Sequence, residues 1–428
     1  MRRSHFATVF GALLLAAGCE APPPSALAST QLRALSEAEL TPFLDRVEAV
    51  RELRFERPVS ASRVAPAALP ALLARELDRV STPAEITREA QLAASLGLLP
   101  PGFDLRATVL RFEAESVAGF YSPLESRLYV VDGQASAAGD SSDALIVHEL
   151  THALQAQHSD LFEALLGIRG DDDLLFALSA LLEGEASYVE LADAEARGGA
   201  ARPTAAVFAQ RFAIAAIAPE LPRAVGESLI APYPLGYALA ERLVARGGVR
   251  AFDAAYLDPP LTSAELLHPA RAEDAATREP LVALPREPRL AGCRARASNC
   301  YGELGVRAWL EDLGAGRAAA ARAAEGWDTD RAWRFSCGAR VASAWLIEAS
   351  DPEEARELSE PLRALAPRAD GAALELTQRA NRMLVSSGLT AREREALLGT
   401  RATQRFTRLA DYLAAHPEVR AHARRLRR

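Results

Sequence analysis

The segment Val147-His148-Glu149-Leu150-Thr151-His152 constrains the fold more than any other stretch, because its residues are useful together only on a helix. Positions four apart share a helical face, so His148 and His152 can present two imidazoles to one point while Glu149 stands beside them. Histidine is scarce, seven in 428 residues, which makes two of them bracketing a glutamate at this spacing informative. This is the pattern by which a zinc ion is held and a water deprotonated for hydrolysis. The plainer alternative is a solvated helix face carrying two ordinary histidines.

Two imidazoles do not complete such a site. A catalytic zinc usually has three protein ligands and leaves the fourth position to water, so another donor must come from elsewhere. His158 stands six residues beyond His152, where the metzincin signature H-E-x-x-H-x-x-G-x-x-H has its third histidine. That signature needs a glycine to turn the chain back, and here Gln155 within Ala153-Leu154-Gln155-Ala156-Gln157 continues the helix. A straight helix carries His158 ~9 Å further along its axis. The methionine turn is missing too, since the only methionines are Met1 and Met383.

Glu183 is the stronger candidate. It lies 31 residues after His152 in Leu181-Leu182-Glu183-Gly184-Glu185-Ala186, on what reads as a second long helix packed against the first. Gly184 would let the two backbones approach closely. Glu185 competes, but two positions on a helix are roughly 200° apart, so only one of the pair can face a metal. The apolar stripe Leu178, Leu182 and Ala186 flanks Glu183 and favours it. A further donor must steady a tetrahedral oxyanion. His268, Tyr233 and Tyr237 are the downstream candidates, His268 first among them.

Helical periodicity dominates the chain and predicts an α+β, predominantly helical fold. Ser36 with Glu39, and Thr82 with Glu85, form capping boxes ahead of helices; Leu40, Phe43, Leu44, Val47 and Val50 recur at helical spacing in the first. A helix from about Pro66 to Val80 lies between them. Short β-branched and aromatic runs, Val109 to Phe112, Val117 to Tyr121 and Leu128 to Val131, predict a small sheet just before the histidine helix, with Ser122 to Ser126 as a hairpin connection. The histidine helix has Asp140, Ser141 or Ser142 as its cap, and the second helix runs from Asp171-Asp172-Asp173 to Arg197-Gly198-Gly199. Further helices follow near Pro203 to Ile217, Pro234 to Arg246 and Ser263 to Leu267. The proline-rich stretch 280–289 reads as a linker between a domain over 36–279 and a last one over 290–428. That last domain is expected to be mostly helical, with one hairpin about Cys337-Gly338 and four core tryptophans.

Arg2 and Arg3 ahead of the apolar run Phe6 to Gly18 predict an export signal over 1–18. Its end, Leu15-Ala16-Ala17-Gly18-Cys19, resembles a bacterial lipobox, with Cys19 as the lipidated first residue of a tether over 19–35. The expected location is the cell envelope, anchored to its membrane. In that oxidising compartment Cys293 and Cys300 are near enough to close a small loop, and Cys337 can equally pair with either. The formal charge of −8 argues against nucleic acid as a partner.

With these residues assembled, the chain resembles a group of bacterial and archaeal envelope proteins that look like gluzincin-type zinc metallopeptidases. The resemblance is carried by Val117-Ala118-Gly119-Phe120-Tyr121, Leu128-Tyr129-Val130-Val131, His148 to His158, Glu183-Gly184-Glu185-Ala186, Leu266-Leu267-His268-Pro269, and Gly326-Trp327 with Asp330-Arg331. It implies a zincin-like core, Zn2+ held by His148, His152 and Glu183, Glu149 as general base, and a peptide or protein substrate. The alternative is a catalytically silent lipoprotein that uses the same fold as a binding or scaffolding module.

Overall fold

The computed structural model describes residues 32–133, 142–212, 221–272, 278, 280–365 and 374–427. The expected export signal, Cys19, most of the tether and the cap candidates Asp140 and Ser141 lie outside the described residues. The architecture is mixed α and β, mostly helical, with several small sheets. Among the described residues no helix is long and apolar enough to cross a membrane.

The first sheet has four strands: β1 (Leu32–Ala34), β2 (Ser60–Val64), β3 (Gly119–Ser122) and β4 (Arg127–Val131), in the order β1-β2-β4-β3. β2 and β4 run parallel, while β1 and β3 are antiparallel edges. The end of the expected tether is therefore a strand. Side chains along β4 alternate between two cores. Leu128 and Val130 meet Val47 of α1 (Glu37–Arg51) and Val147, Leu150 and Leu154 of the histidine helix. Tyr129 and Val131 face the other way, toward α2 (Leu69–Val80), α3 (Pro83–Ser95) and α4 (Leu105–Ser116).

Both capping boxes form as expected, Ser36 with Glu39 and Thr82 with Glu85. The strand expected over Val109 to Phe112 is instead part of α4. The Asp104 side chain accepts the Ala107 N–H at 2.9 Å, and Leu105, Val109 and Phe112 fall on one buried helical face. Branched and aromatic residues suit that face as well as a pleat, so composition misled where spacing decided.

The histidine helix, α5 (Ser142–His158), leads through α6 (Leu161–Gly167) to α7 (Asp172–Ala196), capped by the Asp171 side chain. One apolar core runs from Val64 of β2 to Ala423 of the helix Pro417–Leu426. That helix lies on α6, where a Cβ on Gly167 would sit 2.1 Å from the Val419 carbonyl oxygen.

The C-terminal region departs from the helical expectation. β6 (Arg294–Asn299), β7 (Trp327–Cys337), β8 (Arg340–Ala349), β9 (Glu375–Arg379) and β10 (Arg382–Ser387) form an antiparallel sheet ordered β6-β7-β8-β10-β9, with the expected hairpin at its centre. Met383, Leu384 and Val385 of β10 are all buried, so that strand shows no alternation to read. Within the expected linker, β5 (Leu281–Ala283) pairs with β11 (Gln404–Phe406). Cys293 is bonded to Cys337, and Cys300 is a buried free thiol 3.2 Å from Asp330 Oδ1. The four tryptophans are core residues, as their sequence context predicts.

Candidate metal centre

α5 is an apolar helix with one polar face. Ile146, Val147, Leu150 and Leu154 bury into the core against β4, which leaves His148, Glu149, His152 and Gln155 directed toward α7 and β3. None of these four residues is more than 2% exposed, nor is Glu183 on α7. Buried polar atoms must find partners, and the pattern of partners defines the site.

One ligand atom from each of His148, His152 and Glu183 lies within 4.8 Å of the other two. His148 Nε2 is 3.3 Å and His152 Nε2 3.7 Å from Glu183 Oε2. His152 Nε2 is buried without a hydrogen-bond partner, as is Glu149 Oε1. A tetrahedral metal ion takes an imidazole nitrogen lone pair and a carboxylate oxygen at about 2.0–2.2 Å each, so this donor set and its orphaned nitrogen fit zinc.

The far side of each imidazole is also held. His148 Nδ1 lies 3.1 Å from Glu190 Oε2. His152 Nδ1 lies 2.7 Å from Gln155 Oε1, and the Gln155 amide donates to the Leu182 carbonyl at 2.9 Å and to Glu185 Oε2 at 3.0 Å. Glu185, the competing ligand, is turned away from the histidines and paired with Arg51, and it accepts the Tyr256 hydroxyl. Arg51 extends the chain of contacts to Asp253 at 2.8 Å.

These contacts set the charges. Burial alone would keep His148 neutral, but Glu183 and Glu190 override it and raise the imidazole to about 10. Burial would likewise raise Glu183, and His152 and His148 hold it below the ordinary carboxylate value. Glu149 goes the other way: burial pushes it up to about 7 against the pull of both histidines. Its Oε2 accepts the Tyr121 backbone N–H of edge strand β3 at 2.7 Å.

Gly184 does admit a close approach, but of a different helix from the one expected. A Cβ there would lie 2.0 Å from the Gly236 carbonyl oxygen, and one on Gly236 would lie 1.9 Å from the Ala180 oxygen. The partner is the helix Pro232–Gly247, and its first turn brings Tyr233 to the site. The Tyr233 ring stacks on His148 at 6.4 Å and its hydroxyl hydrogen-bonds Glu183. Phe212 stacks in turn on Tyr233.

The preferred oxyanion donor is a correction. His268 is bound 2.9 Å from both Glu303 oxygens and 3.3 Å from an Arg307 nitrogen, a helix-end ion pair that is not part of the cluster. Tyr237 donates to the Pro203 carbonyl and packs on Phe208 and Tyr188. His158 caps its contacts at the Arg54 carbonyl, 2.7 Å away, outside the cluster as the helix geometry requires. Gln155, Glu190 and Arg51 went unread in the sequence. Glu190 had a signal, since it follows Glu183 by seven residues and so shares its helical face.

Residues 289–406 match a family model described as a domain of unknown function (DUF8575), which covers the five-stranded sheet and none of the residues of the metal cluster. A search of curated proteins finds no match, and a search of solved structures finds none either.

Proposed function

We propose that this chain is a zinc-dependent hydrolase, a metallopeptidase with a gluzincin-like, zincin-type core, exported and anchored to the cell envelope through Cys19. The convergence of His148, His152 and Glu183, with His152 Nε2 orphaned in the midst of them, carries the reading. A zinc ion held there supplies Lewis-acid activation of water and of a scissile carbonyl.

The chain's own residues do the rest. Glu149, raised toward neutrality by burial, takes a proton from the attacking water and passes it to the leaving amine. The Tyr121 N–H fixes its Oε2, which leaves Oε1 as the basic atom. Tyr233, stacked beside His148, is the oxyanion donor we assign in place of His268. Gln155 and Glu190 hold the two imidazoles in orientation. The substrate is a peptide or protein met outside the cytoplasm.

The Glu149→Gln variant tests this. It should keep about one zinc per chain by elemental analysis and lose peptide hydrolysis by at least about a hundredfold, the lower end of the range for a general base. Unchanged turnover would overturn the mechanism. Zinc far below one per chain in the parent protein would remove the site itself. For the anchor, Cys19→Ala should move the protein from the membrane to the soluble fraction.

A further inference from the structure

A partly open pocket lies at the other end of α7. It is a cavity of about 80 Å3 between α3, α4, the start of α7 and the helices Arg223–Ile230 and Gly302–Asp312. Asp173 at this end and Glu183 in the metal cluster are ten residues apart on one helix, about 15 Å along its axis. The wall is largely apolar, with Phe176 and Leu105 among its residues, yet four carboxyl side chains line it: Glu89, Asp172, Asp173 and Glu227. No arginine or histidine does, among the described residues.

Two of these carboxyls have an oxygen with nothing to bond. Glu89 Oε2 and Asp173 Oδ2 are buried without a hydrogen-bond partner, on residues only 3% and 1% exposed, and the Tyr301 hydroxyl in the same wall is likewise unpartnered. A buried acceptor left unsatisfied is costly, more so when charged, and the single hydroxyl proton of Tyr301 serves only one acceptor, so the cavity lacks a donor. Burial also raises all four carboxyls above their ordinary values, Asp172 and Glu227 to about 7. Such a cavity gains from any bound positive charge.

A metal ion does not suit it. Calcium or magnesium needs several oxygens at about 2.0–2.6 Å from one point. No three of these carboxyls bring oxygens within 4.8 Å of one another. Spread acceptors and an apolar wall instead match a cation that carries several N–H donors on a short carbon chain. The volume, against about 10–15 Å3 for one water, admits a head group of that kind.

We propose that this cavity binds the ammonium or guanidinium head of a small organic cation, with Glu89 and Asp173 accepting its hydrogen bonds and the apolar wall enclosing the attached carbons. The site is independent of the metal cluster. A free amine and a lysine side chain are two sources of this one chemistry.

Calorimetric titration of the full chain distinguishes them, using n-butylamine, Nα-acetyl-lysine amide and neutral n-butanol at pH about 8, where the amines remain charged. Butylammonium should bind saturably and at least about tenfold more tightly than butanol, as charge-assisted hydrogen bonds require. Acetyl-lysine amide binding as well assigns the site to side chains too; butylamine alone assigns it to free amines. Glu89→Gln removes an unpartnered acid and should leave the fold intact while weakening binding about tenfold. Glu227→Gln, on the opposite wall, should weaken it independently. Equal binding of butanol, no saturable heat, or unchanged affinity in both variants overturns the proposal.

Discussion

Gln155 Oε1 lies 2.7 Å from His152 Nδ1, and both hydrogens of the same amide are already committed to the Leu182 carbonyl and Glu185. The amide therefore can only accept from the imidazole. His152 must carry its proton on Nδ1 and turn the lone pair of Nε2 toward Glu183.

Gln155→Leu removes that constraint and leaves the ring free to flip. Zinc affinity should fall by about 10–100-fold, the usual range for the residue behind a ligand. Competition against a chelator of known affinity measures it. Gln155→Glu should not restore it, because a carboxylate there has no hydrogen to give the Leu182 carbonyl or Glu185.

Gly184→Ala puts a methyl group into the Gly236 backbone. Overpacking of this kind costs about 1–3 kcal/mol or more, and the displaced helix carries Tyr233. Denaturant unfolding should show the loss in midpoint. Gly236→Ala should cost a similar amount, and the double variant less than the sum, since one separation of the helices accommodates both.

Arg51 and Glu185 have fully buried side chains and face each other as an ion pair. Removing the cation alone strands the carboxylate, so Arg51→Ala should destabilise the fold by roughly 3–5 kcal/mol. The paired replacement Arg51→Met with Glu185→Leu should be milder, though Gln155 then loses one acceptor. Thermal unfolding of the three proteins orders them.

The buried carboxyls make stability fall as pH rises. Asp172 titrates near 7 in the folded chain against an ordinary value of 3.8, and Glu227 near 7 against 4.5, burial being the leading cause in both. Between those values the folded state binds more protons than the unfolded one, so each group's contribution is fullest below about 4 and is lost as pH approaches 7. Glu227→Gln should flatten the decline between about pH 4.5 and 7 relative to the parent, as read from unfolding midpoints. A decline of identical slope in the variant would refute the assignment.

The most legible parts of the sequence are those where spacing alone decides. His148, Glu149 and His152 follow from a helical turn, and Glu183 from the phase of an apolar stripe, so four residues of the cluster were legible without a fold. Tyr233 was legible only as one of three candidates, because nothing local says that Gly184 and Gly236 let a third helix in. Gln155 was read as a helix continuer and nothing more; its second role depends on Glu185 and Leu182 arriving from α7. The C-terminal sheet hid for another reason. β10 is covered on both faces, so it lacks the alternation by which a half-buried strand announces itself.

The docking of Val419 against Gly167 has a consequence for biogenesis. α6 begins three residues after the histidine helix ends, yet its outer surface is covered by Pro417–Leu426, a segment made much later. A nascent chain that has already emitted His148, His152 and Glu183 still leaves that surface bare. Closure of that surface thus waits on the synthesis of Pro417–Leu426, and a cut that removes Val419 would bare α6 again.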